Sequence, residues 1–406
     1  MLFIFRAAFV ALALVLAAPE TAAQDKGVLA LVGGTVYRDP TSPPLADAVV
    51  LVSGGSITAV GPRGAVPVPP EARVIDCTGK TLAAGFWNAH VHFTEPVWQN
   101  AATAPAAALT EHMQAMLTRW GFTTVWDLGS NPMDTLPLRN RIRKGEVLGP
   151  DIFTTGSIFP KGGHPVYLPA DLRLPQAGVP AEAEGMARSM LGLGLDGIKL
   201  FTGSFMGDKP VVNMQASVAK AAVDVAHAAG KPVFAHPQNV AGVDAVIASG
   251  VDVLAHTVPS EAGYSAEQLA KFKAQNIALI PTLGLWTTVV RDKAIADRLV
   301  AGGVAQLKAF ADNGGSVLFG TDVGFTQLYD TSLDMEFMGR ALPPRAVLAS
   351  LTTNPASYFK AAKKGRLEAG FDADVVVLDG DPEADVRNLA KVAYTLRAGT
   401  IIYQRP

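Results

Sequence analysis

Two histidines one residue apart give the first chemical signal in this chain. They lie in Asn88-Ala89-His90-Val91-His92, an apolar stretch that reads as a β-strand. Alternate side chains of a strand share a face, so His90 and His92 point the same way; on a helix they would diverge by about 200°. Two imidazoles on one face suit a divalent ion, and zinc takes histidine nitrogens readily. Two core histidines satisfied by backbone carbonyls would give the same short pattern. Four more residues extend it: Lys199 within Gly197-Ile198-Lys199-Leu200-Phe201, His236 after Pro232-Val233-Phe234-Ala235, His256 after Val253-Leu254-Ala255, and Asp322 after Val317-Leu318-Phe319-Gly320-Thr321. A lysine inside an apolar strand and an aspartate at the end of another are costly to bury unless paired or liganding. A Lys199–Asp322 pair and a His256 donor to a carbonyl would each explain one position. A shared site explains all six.

The elements that must position these residues alternate between strand and helix signals. Candidate strands run over 86–93, 123–128, 151–158, 197–202, 232–236, 253–257, 278–283 and 317–321, with Ala-rich helical stretches such as 106–120, 181–193, 213–229 and 241–249 between them. Eight strands, each followed by a helix-length segment, predict an α/β fold: a (β/α)8 TIM-type barrel over 83–365, whose functional groups gather at the C-terminal strand ends. The 20-residue step from His236 to His256 is one helix plus one strand of such a barrel. An open doubly wound sheet should carry a Gly-x-Gly-x-x-Gly turn after an early strand, and none stands in that position here. The flanks, 24–82 and 366–406, are short β-rich pieces cut by Gly and Pro turns. They are expected to form one small β-sandwich-like domain from both termini.

Composition narrows the function classes. The charged share is 17%, below the quarter or so typical of soluble domains, which excludes a disordered polar chain. With 34 basic against 36 acidic residues, the chain has no net field to attract nucleic acid. Its single cysteine, Cys77, permits neither an intramolecular disulfide nor a Cys-x-x-Cys site. The 49% hydrophobic content raises the question of a membrane span, and the unbroken apolar run Ala7–Ala18 is its one candidate. That run is shorter than the ~20 residues a span needs. Flanked by Arg6 and by Thr21-Ala22-Ala23, it reads as a signal peptide over 1–23 cleaved near Ala23. Export to a periplasm or the exterior, without a stable membrane anchor, is expected.

On further motifs the chain resembles the metal-dependent amidohydrolase superfamily, in its imidazolonepropionase-like and prolidase-like branch. The likeness is carried by Gly85-Phe86-Trp87-Asn88-Ala89-His90-Val91-His92, Gly121-Phe122-Thr123-Thr124-Val125-Trp126-Asp127-Leu128-Gly129, Gly320-Thr321-Asp322 and Thr353-Asn354-Pro355-Ala356, and by the closing Gly365-Arg366-Leu367-Glu368-Ala369-Gly370-Phe371-Asp372-Ala373-Asp374. Family members often have Asp where this chain has Asn88, a position not usually a ligand. The resemblance implies two zinc ions, one held by His90 and His92 and joined by Asp322, the other held by His236 and His256. Lys199, carboxylated by CO2, would bridge them. A one-ion arrangement of His90, His92, His236 and Asp322 with unmodified Lys199 stays open. Asp322 would serve as general acid–base, and His256 or His164 would donate to the developing oxyanion. The implied activity is hydrolysis of an amide in a peptide-like or N-acyl amino acid substrate. The alternatives are a cyclic amide, a lactone or ester, and a non-catalytic barrel that binds a small ligand around a structural metal. Related deaminases carry an acid just after the fifth-strand histidine, where this chain reads Pro237-Gln238-Asn239. Related sugar deacetylases use a third-strand Glu, where it reads Thr154-Thr155-Gly156-Ser157.

The loops after the strands should hold a small-molecule or short-peptide substrate. Gly162-Gly163-His164-Pro165-Val166-Tyr167 looks like the substrate loop of dipeptidase-like relatives, which makes His164 and Tyr167 binding candidates. Phe159, Phe205, Trp286 and Phe325 fall near strand ends and suggest an apolar pocket, with Lys161 and Lys209 the nearby cations in the loops after strands three and four. A homo-oligomer is compatible with all of this.

Overall fold

The computed structural model describes residues 27–260 and 263–406, so the expected leader over 1–23 lies outside the described residues. Among the described residues, no helix is long and apolar enough to cross a membrane.

Seven parallel strands pair in sequence order: Phe86–Val91, Phe122–Asp127, Asp151–Pro160, Gly197–Phe201, Val233–His236, Val253–Ala255 and Ala278–Ile280. The first two are buried at every residue, as expected for strands with helices outside and packed side chains within. The eighth stretch, 317–323, makes only isolated bridges, Leu279 to Val317 and Val91 to Val323. It still closes the ring, because the Ala89 N–H donates to the Phe319 carbonyl at 2.7 Å. Gly320 permits this closure: a Cβ there would lie 2.3 Å from Ile280 Cγ2 and 3.0 Å from His90 Cβ. The result is the (β/α)8 barrel that the strand–helix alternation predicts, with helices such as Ala106–Met116, Pro180–Gly192, Ala216–Ala228 and Val240–Ser249 lying close to their expected spans.

Inside the ring, aromatic side chains from non-neighbouring strands meet. Trp87 on the first strand stacks on Phe153 of the third at 6.3 Å, and Trp126 on the second meets Phe234 of the fifth at 4.9 Å. Phe359, just past the last helix of the barrel, Thr353–Tyr358, packs on Trp87, Trp126 and Phe234. Strands that are not neighbours touch only across the interior, so this cluster fills the barrel and serves as the floor beneath the strand ends.

Both ends of the chain build one eight-stranded sheet that includes Leu29–Val36, Leu45–Ser53, Ser56–Pro62, Thr81–Ala84, Val375–Leu378, Val392–Arg397 and Thr400–Gln404. The run Val375-Val376-Val377-Leu378 is apolar throughout because each of its faces has a core to meet. Val375 and Val377 pack in the sheet's own core, while Val376 and Leu378 join the barrel's. A buried ion-pair group fastens the two units. Lys364 Nζ lies 2.6 Å from Asp374 and 3.0 Å from Asp151, and Arg397 reaches Asp151 at 2.8 Å. Burial opposes a charged Lys364, but these carboxylates raise its pKa and keep it an ammonium. Removing one partner strands a buried charge, so Lys364→Ala should lose ~3–5 kcal/mol of unfolding free energy. Urea denaturation of the two proteins checks this, and equal midpoints would contradict it.

Candidate metal centre

Five of the six residues singled out in the sequence lie at or just past the C-terminal ends of barrel strands, and Lys199 lies mid-strand in Gly197–Phe201. His90 Nε2 and His92 Nε2 are 3.3 Å apart. Asp322 Oδ1 lies 3.2 Å from the first and 2.9 Å from the second, and the ligand atoms of these three residues all fall within 4.8 Å of one another. His256 closes on the same point from the sixth strand, its Nε2 3.7 Å from Asp322 Oδ2 and its ring 4.7 Å from that of His90. His236 sits 4.8 Å from His256, ring to ring, and stacks on Phe201. Lys199 is 1% exposed and directs its ammonium nitrogen to within 5.8 Å of the Phe201 ring.

The electrostatics favour lone pairs over protons here. Burial, reinforced by Lys199, pushes His236 down to about 4 and holds His90 well below the usual imidazole range. His256 is held low by burial as well. Burial also brings Lys199 down to about 7, against the opposing pull of Asp322. Asp322 Oδ1 is buried and has no hydrogen bond despite its imidazole neighbours. Neutral imidazoles and an unsatisfied carboxylate oxygen converging on one point form a donor set that a divalent cation fits.

Supporting contacts hold the donors in place. Thr282 Oγ1 lies 3.0 Å from the Pro281 carbonyl, to which it can donate, and 2.6 Å from His256 Nδ1. A hydroxyl that has given its proton to a carbonyl can only accept from the ring, so Nδ1 carries the hydrogen and Nε2 keeps a free lone pair. Asn88, on the strand that bears His90, donates to Thr321 Oγ1 at 2.8 Å, beside Asp322. The backbone after His92 is fixed by Phe93 N–H donating to Ser130 Oγ at 2.7 Å, and that hydroxyl donates to buried Asp127 at 2.5 Å. His256, Thr282 and Asp322 have φ of 128°, 44° and 62°. These are conformations that non-glycine residues rarely hold, and they occur here just past three successive strand ends.

The centre opens into a cavity of about 1680 Å³. Tyr167 lines it, as do Phe159, Phe205, Trp286 and Phe325, the aromatics that their positions near strand ends suggested. Tyr167 meets Phe325 edge-on at 5.3 Å, and Phe325 in turn faces His92. His164 is turned into its own loop, its ring nitrogens 3.1 Å from the Pro165 and Leu172 carbonyls, and it is not among the lining residues. Lys161 and Lys209 do not line the cavity either. The loop cation that does is Arg173, which sequence reasoning passed over. Thr282 was also missed, although it stands just past a strand end like His256 and Asp322.

Known proteins resemble this chain in sequence and fold. The family model described as the amidohydrolase family matches residues 81–402. The ochratoxinase of Aspergillus niger is 25% identical, over 85% of this chain and 80% of its own length. A prolidase solved with N-methylphosphonate-L-proline is 25% identical with a TM-score of 0.78, covering 93% of this chain and 100% of that one. A Xaa-Pro dipeptidase with bound methionine is 22% identical with a TM-score of 0.79, over 93% and 100% of the two chains, and shares the fold.

The hydroxyl of Thr282 yields a direct expectation. Thr282→Val keeps the β-branched shape but loses the acceptor for His256 Nδ1–H, and should weaken zinc affinity by about 10- to 100-fold. Thr282→Ser should keep wild-type affinity. Competition against a chromophoric chelator measures both, and unchanged affinity in the valine variant would refute the orienting role.

Proposed function

The chain belongs to the amidohydrolase family, and from that premise we propose that it is a metal-dependent hydrolase that cleaves an amide bond in a peptide-like or N-acyl amino acid substrate. The observation that carries the reading is the convergence of His90, His92 and Asp322 donor atoms within 4.8 Å at the floor of a large cavity. Zinc is the metal proposed. His90, His92 and Asp322 would hold one ion, and His236 and His256 a second. Bound there, the ions would polarise the scissile carbonyl and lower the pKa of a water to near neutrality.

The protein's own groups account for the remaining demands. Lys199, with its pKa brought down to about 7 by burial, has a neutral amine available near physiological pH. That amine could add to CO2 and lose a proton, becoming an anionic carbamate that would supply oxygen donors and offset dication charge. Asp322 is 5% exposed and lies between the histidine pairs, where it can take a proton from the attacking water and return it to the leaving nitrogen. His256 Nε2, 3.7 Å from Asp322 Oδ2, is near enough to help orient that carboxylate. His90, Lys199, His256 and Asp322 are each no more than 5% exposed, and that burial strengthens each of these interactions.

The test is turnover by the zinc-loaded protein on dipeptides, N-acyl amino acids and lactones. Wild type should cleave an amide of the panel, and Asp322→Ala should reduce kcat by about 100- to 10,000-fold. His90→Ala and His236→Ala should abolish turnover and lower zinc content. Wild-type rates in Asp322→Ala, or cleavage of lactones alone, would overturn the proposal.

A further inference from the structure

A second, much smaller cavity of about 20 Å³ lies against the backbone on either side of Asp322, where Thr321 and Val323 help to line it. That is room for one water-sized occupant. Its polar walls come from two segments of the chain. Thr288 lies on the short helix Leu285–Val289 past strand seven, while Asp330, Thr331 and Asp334 lie on the stretch that leads from strand eight into the helix Ser332–Gly339. No lysine, arginine or histidine is among the lining residues.

Two of these groups have unmet needs. Asp334 is 4% exposed and accepts from the Gly284 N–H at 2.8 Å, but no cationic side chain pairs with it among the described residues. Burial pushes its pKa up to about 8, and the charges of Asp322 and Asp330 add to the rise. Thr331 is 1% exposed, and its Oγ1 is buried with no hydrogen-bond partner among the described residues. Thr288 Oγ1 donates to the Leu285 carbonyl at 2.8 Å, which leaves it only lone pairs to offer. A carboxylate buried near other carboxylates is costly unless a positive charge sits beside it.

We propose that this chamber binds one monovalent cation, potassium or sodium, through the Asp334 carboxylate and the hydroxyl oxygens of Thr331 and Thr288. These donors are hard oxygens, unlike the nitrogen-rich set of the neighbouring metal centre, and such oxygens suit cations that bind nitrogen poorly. Charge decides between one and two units. Asp334 is the single buried carboxylate of the lining, and one positive charge balances it. Asp330 is exposed and already accepts from the Ser332 N–H at 2.9 Å. Calcium would also ask for about six to eight oxygen ligands. The bound ion would tie together the segments that follow strands seven and eight, which carry Thr282 and Asp322. This site is separate from the zinc positions and does not depend on the hydrolytic reading.

Thermal unfolding of the zinc-loaded protein tests this, in potassium, sodium or choline chloride at equal ionic strength. Potassium or sodium should raise the midpoint saturably, by about 2 °C or more over choline. Asp334→Asn replaces the carboxylate with a neutral amide of the same shape and should lose that rise. Thr331→Val keeps the charge but removes one oxygen, and should raise the half-saturating cation concentration by about 3- to 10-fold. Crystals soaked in rubidium chloride should show an anomalous-scattering peak beside Asp334 that Asp334→Asn lacks. Identical midpoints in all three salts, or a full cation response in Asp334→Asn, would overturn the proposal in favour of a water beside a protonated carboxyl.

Discussion

The structure depends on one unusual burial: six ionisable side chains brought into the mouth of a barrel with too few protons among them to satisfy one another. Three imidazoles held neutral and an aspartate oxygen with no hydrogen bond would be an electrostatic defect in an ordinary core. They become an asset if a cation sits between them. The apolar floor of Trp87, Trp126, Phe153, Phe234 and Phe359 keeps water from solvating these groups from below, and so sharpens their need for a metal.

Much of the surrounding framework keeps that arrangement from relaxing. The Asn88–Thr321 hydrogen bond and the glycine at 320 join the first and eighth strands tightly enough to set Asp322 against the two histidines. The Phe93–Ser130–Asp127 chain fixes the backbone after His92, and Thr282 fixes the ring of His256. Positive φ at His256, Thr282 and Asp322 is conformational strain retained at the site, where the neighbouring packing over-determines it. The terminal sheet contributes from a distance, since Val376 and Leu378 complete the barrel core and Lys364 ties the units together.

The barrel was legible because parallel strands buried on both faces are continuous apolar runs, and a polar residue ending such a run stands out. His236 after Val-Phe-Ala and His256 after Val-Leu-Ala are of this kind, as is Lys199 inside one. The loops were less readable because they have no period. Arg173 lies in a stretch whose sequence gives no sign that it returns to the cavity, whereas Lys161 stands nearer the strand in sequence and lies off the lining. Gly-Gly-His drew attention to His164, yet the structure turns that ring onto its own loop carbonyls. Thr282 was invisible for a different reason: a threonine at a strand end is ordinary until a histidine nitrogen is found beside it. Strand eight was correctly placed, but its sparse pairing could not be read from its composition.

The proposed hydrolysis requires that these donors hold metal. Its most direct test is to strip the protein with a chelator and return zinc stepwise while counting bound zinc per chain and following amide hydrolysis. The stripped protein should be inactive, take up two zinc ions per chain, and regain activity as they bind. Full activity without metal, or a stripped chain that takes up no zinc, would contradict it.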